Sequence, residues 1–284
     1  MEHITLKETQ NTPKLTAAAK AWCRANLEYL NKPMTLFGTS LKVEKEGHKS
    51  EVRVMYLAPT NKVSSVTLCA GARMAGCEKD CLINSGHLGM SQGQRAATKR
   101  TVLLLLRRPW FDAQVLREVD KGEARALRTG IPAAFRLNGT SDVDFTDLIA
   151  QRPESQFYDY SKQLGRVTGN RLANYDLTFS GSMASPAARR ALKAALGAKV
   201  RIALAWNTKE SKKDSLLISK YLGGRKLVSF DTNDLRFLDP KDALGTLTSK
   251  GTNAEHRAAV NKEENTFWVT AANLGDLSNI IAKA

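Results

Sequence analysis

The sequence predicts an α/β fold, a partial (β/α)6 barrel of parallel strands with an N-terminal helix plus β-hairpin accessory layer. Three observations predict it. Six short apolar, β-rich runs follow residue 63, each closed by polar or glycine-containing residues. Helical patterns separate several of them, and strands alternating with helices imply a parallel sheet. The rhythm before residue 63 differs, with one helical stretch and then two alternating runs. The chain therefore divides into an accessory region, 1–62, and a barrel-like core with a C-terminal extension, 63–284. At 284 residues it is long enough to bury a large core.

In chain order, Thr12-Pro13 opens a helix running to Tyr29, with Ala17, Ala21, Leu27 and Leu30 as its apolar contacts and Cys23 within it. MTLFGTSLKVEK and SEVRVMYLA alternate apolar with polar residues around EGHK, the pattern of a hairpin. The six core runs are SSVTLC to Cys69, AAFRLN to Asn138, SQFYDY to Tyr160, YDLTFS to Ser180, KVRIALAW to Trp206 and RKLVSFD to Asp231. Helical patterns at Gln92–Arg107 and Phe111–Leu127 separate the first two. SPAARRALKAAL, with Pro186 suited to a first helical turn, separates the fourth and fifth.

Parallel α/β sheets place their chemistry at the carboxyl ends of the strands. The residues expected there are polar in every unit, and Asn138, Asp142, Tyr160, Lys162, Ser180 and Asp231 are the candidates for lining a site. The first of these loops is also rich in sulfur. Cys69, Cys77 and Cys81 lie within thirteen residues, spaced C-x7-C-x3-C, in a chain with four cysteines in all. Thiolates this close suit a soft metal centre. Three sulfurs with one open position suit a 4Fe-4S cluster whose free iron binds a small molecule. A zinc ion on the three cysteines and His87 is the alternative, and Cys23 is the other candidate for a fourth ligand. Gly71 and Gly76 allow the loop to fold tightly.

Charge points to a polyanionic partner. Lys plus Arg number 43 against 28 Asp plus Glu, a net +15. The excess gathers in two blocks, one between Asp80 and Asp112 and one from Arg189 to Lys226. Such surfaces attract nucleic acid through counterion release. The opening MEHITLKETQ has no apolar signal-like run and no stretch approaches eighteen apolar residues, so a cytoplasmic protein with no membrane span is expected. Asp142, Asp144 and Asp147 with Asp231, Asp234 and Asp239 form a second, weaker pattern, that of carboxylates on Mg2+. No GxSxG elbow, Walker loop or GxGxxG turn is present, which leaves serine hydrolysis and ATP use without support.

A three-cysteine loop after the first of six strand-helix units resembles the layout of radical S-adenosylmethionine enzymes, although those typically carry C-x3-C-x2-C. A broader resemblance, spanning Cys69 to Gly251, is to bacteriophage proteins of the gene product 88 type, through the loop ending CL, RLNGTSDVDF, QFYDYSK, NYDLTFSGS and DLRFLDPKDALG. It implies a phage origin and a host cytoplasm, and it carries metal ligation to Cys69, Cys77 and Cys81.

Overall fold

The computed structural model describes residues 3–43, 49–59, 61–78, 80–84, 86–207, 227–248, 262–270 and 272–284. Among these residues the fold is mixed α/β, with ten α-helices and an eight-stranded, mostly parallel sheet. The strands are β1 (Phe37–Val43), β2 (Lys49–Met55), β3 (Ala133–Arg136), β4 (Gln156–Ser161), β5 (Tyr175–Ser180), β6 (Ile202–Trp206), β7 (Leu227–Ser229) and β8 (Leu244–Thr248). Their sheet order is β1-β2-β3-β4-β5-β6-β8-β7. By compactness the chain forms two units, one of Met1–Leu41, Ser50–Ala70 and Asp80–Phe157, the other of Lys42–Lys49, Gly71–Lys79 and Tyr158–Ala284.

In the first unit, helices α1 (Leu6–Asn11), α2 (Ala17–Ala25) and α3 (Leu27–Asn31) replace the single predicted N-terminal helix. The break falls at Asn26, whose side-chain amide donates to the Trp22 carbonyl, a local bond that competes with continuing the helix. Cys23 and Leu30 are fully buried on the inner face. The hairpin strands do not form a separate accessory layer. β2 lies parallel to β3, with Glu51 opposite Ala133 and Val54 opposite Arg136, because Val52 and Val54 present a buried apolar face that only a sheet neighbour and its covering helices can satisfy.

Helix α5 (Ser91–Leu106) and the long helix α6 (Arg108–Thr129) follow the predicted stretches closely. α6 packs against β3 at Gly122, where a β-carbon would come within 2.7 Å of the Phe135 ring. Phe37, Phe135 and Phe157 run as a line of ring contacts, with centroids 5.9 and 5.5 Å apart, through this core. Two short helices, α4 (Gly86–Gly89) and α7 (Thr146–Ile149), complete the unit.

The run SSVTLC is not a strand. Its one ladder contact is an isolated bridge from Ser64 to Leu15. The Thr67 hydroxyl takes the Cys69 amide at 3.1 Å and bonds the Pro59 carbonyl at 3.3 Å, so the backbone turns on itself instead of extending. Val66 is left 64% exposed.

In the second unit β5 pairs with β6, β6 with β8 and β8 with β7, all parallel. Strand β8 was missed because LGTLT reads as a glycine-weakened run. Gly245 is there for space, since a β-carbon would lie 1.9 Å from the Phe230 ring. Helix α9 (Pro186–Gly197) starts as its sequence predicts. The Ser185 hydroxyl caps the Ala188 amide at 3.1 Å and proline occupies the first turn. Its Leu192, Ala195 and Leu196 pack with Phe179, Ile202 and Trp206 into one apolar cluster. That cluster also takes Leu277 of helix α10 (Leu274–Ala282), and α8 (Leu164–Gly169) lies between β4 and β5 in sequence. No helix among the described residues is long and apolar enough to cross a membrane.

Candidate functional site

The cysteine loop is anchored at strand ends in each unit separately. In the second unit residues 71–77 dock on the segments that leave β4 and β5. The Ser182 hydroxyl donates to the Ala75 carbonyl at 2.7 Å, and the Ser185 hydroxyl to the Met74 carbonyl at 2.9 Å. Two glycines make the approach feasible. A β-carbon on Gly71 would sit 2.4 Å from Lys162 Cβ, and one on Gly76, whose φ is +67°, would sit 2.7 Å from Ala184 Cβ.

This docking brings Cys77 beside Lys162. The Lys162 ammonium leaves β4, donates to the Ser180 hydroxyl at 2.8 Å and stands 4.7 Å from the centre of the Phe267 ring. Burial raises the pKa of the Cys77 thiol, and the Lys162 charge opposes that rise. The thiol points toward the Ala72 carbonyl, 3.7 Å away. Lys162 and Ser180, predicted from their strand-end positions, are thus together with one of the three predicted sulfurs. The Phe267 contribution was not legible, because nothing in a C-terminal aromatic pair, FW, marks it as a lysine's partner.

The other predicted residues of this unit are Tyr160 and Asp231. Tyr160 is half-buried in β4. Asp231 is exposed and accepts from the Thr248 amide and hydroxyl, at 3.1 and 2.7 Å, tying the end of β7 to the end of β8. Asp159, buried one residue before Tyr160, accepts from the Tyr175 hydroxyl at 3.1 Å. Asp239 pairs with the buried Arg236.

In the first unit the NGTSD turn follows β3. Asn138 is buried and accepts from the Ser141 hydroxyl and the Val143 amide, both at 2.8 Å. The Asp142 amide donates to the Leu68 carbonyl at 2.8 Å and the Thr140 hydroxyl to the Leu57 carbonyl at 2.6 Å. Asn138 therefore shapes the turn, and the turn holds the backbone that leads into Cys69. Cys69 and Cys81 are both half-buried, Cys81 opening the 3-10 turn Leu82–Asn84. His87 is exposed on α4. Cys23 is enclosed in the helical core, and burial pushes its thiol pKa up to about 11. Asp144 accepts from the Thr146 amide and hydroxyl, a turn role. Among the described residues no three His, Cys, Asp or Glu side chains gather closely enough to hold a metal ion.

The two basic blocks read differently in three dimensions. In the first, Lys99 is buried and donates to the carbonyls of Tyr29 and Lys32, at 2.6 and 2.5 Å. Arg95 covers the Tyr29 ring at 3.9 Å, Arg107 pairs with Glu8, and Arg108 with Asp112. In the second block Arg201 is buried against Asp176, and Arg189 is bound to Asp276 and Asn265. Arg190, Lys193 and Lys199 are exposed. Positions 208–226 of that block lie outside the described residues. Among the described residues of the two blocks, Arg95, Lys99, Arg107, Arg108, Arg189 and Arg201 thus have partners within the fold.

Comparison with curated proteins and with solved structures gives no match in either. Residues 10–263 match the family described as Gene product 88, the phage gene-product family that the motifs resemble, and the chain belongs to that family.

Proposed function

We propose that this gene product 88 protein is a metalloprotein of the host cytoplasm that binds a 4Fe-4S cluster through Cys69, Cys77 and Cys81 and works on or with nucleic acid. The observation that carries the reading is the fastening of residues 71–77 to the strand ends of β4 and β5 through Ser182, Ser185 and the two close-packed glycines. Loops at that edge are where parallel sheets carry out chemistry. The donor set fits the group. Three thiols within thirteen residues match the sulfur-only ligation of iron-sulfur clusters, and although burial raises the Cys77 pKa, the Lys162 charge beside it opposes that rise. The sulfurs would have to converge on binding, since no metal-holding group of three is assembled among the described residues.

When bound, such a cluster supplies an electron or a Lewis-acidic iron to a small molecule at its open position. Lys162 and Ser180 would then orient that molecule's polar groups. The curvature of a partial (β/α)6 barrel, like that of radical S-adenosylmethionine enzymes, belongs to the same proposal, supported by the parallel pairings within each unit.

Anaerobic purification with iron, sulfide and zinc analysis tests it. The expected result is a brown protein with about four irons and four sulfides per chain, lost in Cys77→Ser. A colourless protein with one zinc per chain would replace the cluster with the zinc-stabilised, non-catalytic reading. A metal-free protein after reconstitution would end both.

A further inference from the structure

Helix α6 carries a basic stripe that the linear sequence conceals. Arg117, Lys121, Arg125 and Arg128 are all exposed. At about 100° and 1.5 Å per residue they fall within about 80° of one another around the axis and span about 17 Å along it. Acidic residues alternate with them in sequence, which is why this stretch reads as balanced. On the helix the signs separate. Phe111, Val115, Glu118, Val119 and Gly122 form the buried face. Asp112 and Glu123 fall about 120° or more from every residue of the stripe, whereas Asp120 lies about 60° from Arg117 but is taken by Arg152, as Asp112 is by Arg108. Glu118 is turned inward to the Leu36 and Phe37 amides.

On the stripe itself only Arg125 meets a carboxylate among the described residues, that of Glu51 at 2.6 Å. Arg117 donates to the neutral Gln114 side chain at 2.5 Å. Arg117, Lys121 and Arg128 have no ion pair among the described residues. A surface serving solubility mixes both signs. This flank presents four basic groups over three turns, three of them without an ion pair among the described residues, with successive charges about 5–6 Å apart along the axis.

We infer that the outer flank of α6 is a phosphate-contacting surface for nucleic acid. Regularly spaced guanidinium forks suit the repeating phosphates of a nucleic-acid backbone, and they read no base. The inference rests on the nucleic-acid part of the functional reading and not on the cluster. It also supplies what that part lacked, because the basic side chains between Asp80 and Asp112 are largely committed to internal partners.

Binding of the full-length protein to a labelled DNA duplex of arbitrary sequence, titrated over a series of salt concentrations, tests it. The triple variant Arg117→Gln, Lys121→Gln, Arg128→Gln keeps a strong helix former at each exposed site, and circular dichroism checks its fold. Removing three phosphate contacts lowers the slope of log affinity against log salt by about 2.7. The pair Arg190→Gln, Lys193→Gln, exposed on α9, leaves the slope as in the parent protein. If the α9 pair lowers the slope and the α6 triple does not, the stripe is refuted while nucleic-acid binding stands. If the parent protein binds neither duplex nor single strand at low salt, both are refuted, and an acidic protein becomes the partner to seek.

Discussion

Glu118 shows how much a single buried charge can organise. Its carboxylate, inside the first unit on α6, accepts from the Leu36 amide at 2.8 Å, the Phe37 amide at 3.0 Å and the Gln114 side chain at 2.7 Å. Those two amides stand at the opening of β1. Glu118→Ala would leave both buried donors unsatisfied and is expected to cost about 2–4 kcal/mol, read as a lower urea midpoint at unchanged slope. Glu118→Gln, which keeps one acceptor, is expected to cost about half of that. In the sequence Glu118 is one of several acids on an amphipathic helix, and its position gives no hint of the role. The same holds for Asn138 and Asp231. Residue type and strand-end position made them candidates, yet their hydrogen bonds go to neighbouring backbone and hydroxyl groups that shape turns. Lys162 and Ser180, chosen by the same argument, meet each other, and Lys162 also meets Cys77. Position at a strand end was legible; the direction of each side chain depended on which neighbour claimed it.

Among elements, helices α5, α6 and α9 and five of the six core strands were legible because each carried a strong period or an apolar run with its own punctuation. Ser185 before Pro186 marks the start of α9 without ambiguity. What failed were short segments decided by tertiary neighbours. SSVTLC has strand composition but loses to hydroxyl-backbone turns, whereas LGTLT has weak composition and becomes β8 because β6 and β7 flank it. Ser185 itself has a second duty that no local pattern reveals, since its hydroxyl both caps α9 and holds Met74 of the cysteine loop. Ser185→Ala is expected to destabilise the protein by about 2 kcal/mol, one part from the cap and one from the lost loop bond. Gly71→Ala separates the two effects. It leaves α9 capped but forces a methyl into Lys162 Cβ, and it is expected to cost about 1–3 kcal/mol. Both variants should speed alkylation of Cys77 by iodoacetamide, while Cys23, enclosed and held protonated, should react only on unfolding. Labelling of Cys77 at the parent rate in both would mean that the loop does not depend on these contacts.

At the scale of the whole molecule, these buried and paired charges set how stability depends on pH. Lys99 is the dominant group on the alkaline side. Burial, with Arg95 and Lys32 nearby, brings its pKa down to about 8 from 10.5. The unfolded chain therefore holds a proton that the folded chain has released between those values, so raising the pH through that window favours the folded state. On the acid side the direction reverses. Glu8 beside Arg107 and Asp120 beside Arg152 have pKa values held below the ordinary carboxylate range, chiefly by those hydrogen-bonded ion pairs. Their contribution is complete above the unfolded pKa and disappears as pH falls through the lowered one. This protein should therefore gain stability between about pH 8 and 9, above which the buried Cys23 and Cys77 thiols, whose pKa values are raised, oppose the Lys99 gain. Urea unfolding at half-unit pH steps measures the profile. Lys99→Met removes the titrating group while keeping an unbranched stem to fill its channel, so it should flatten the alkaline rise and leave the acid limb unchanged. A rise that persists in Lys99→Met would assign the effect to other groups, and Lys99 would then be a charged anchor for the Tyr29 and Lys32 carbonyls at every pH.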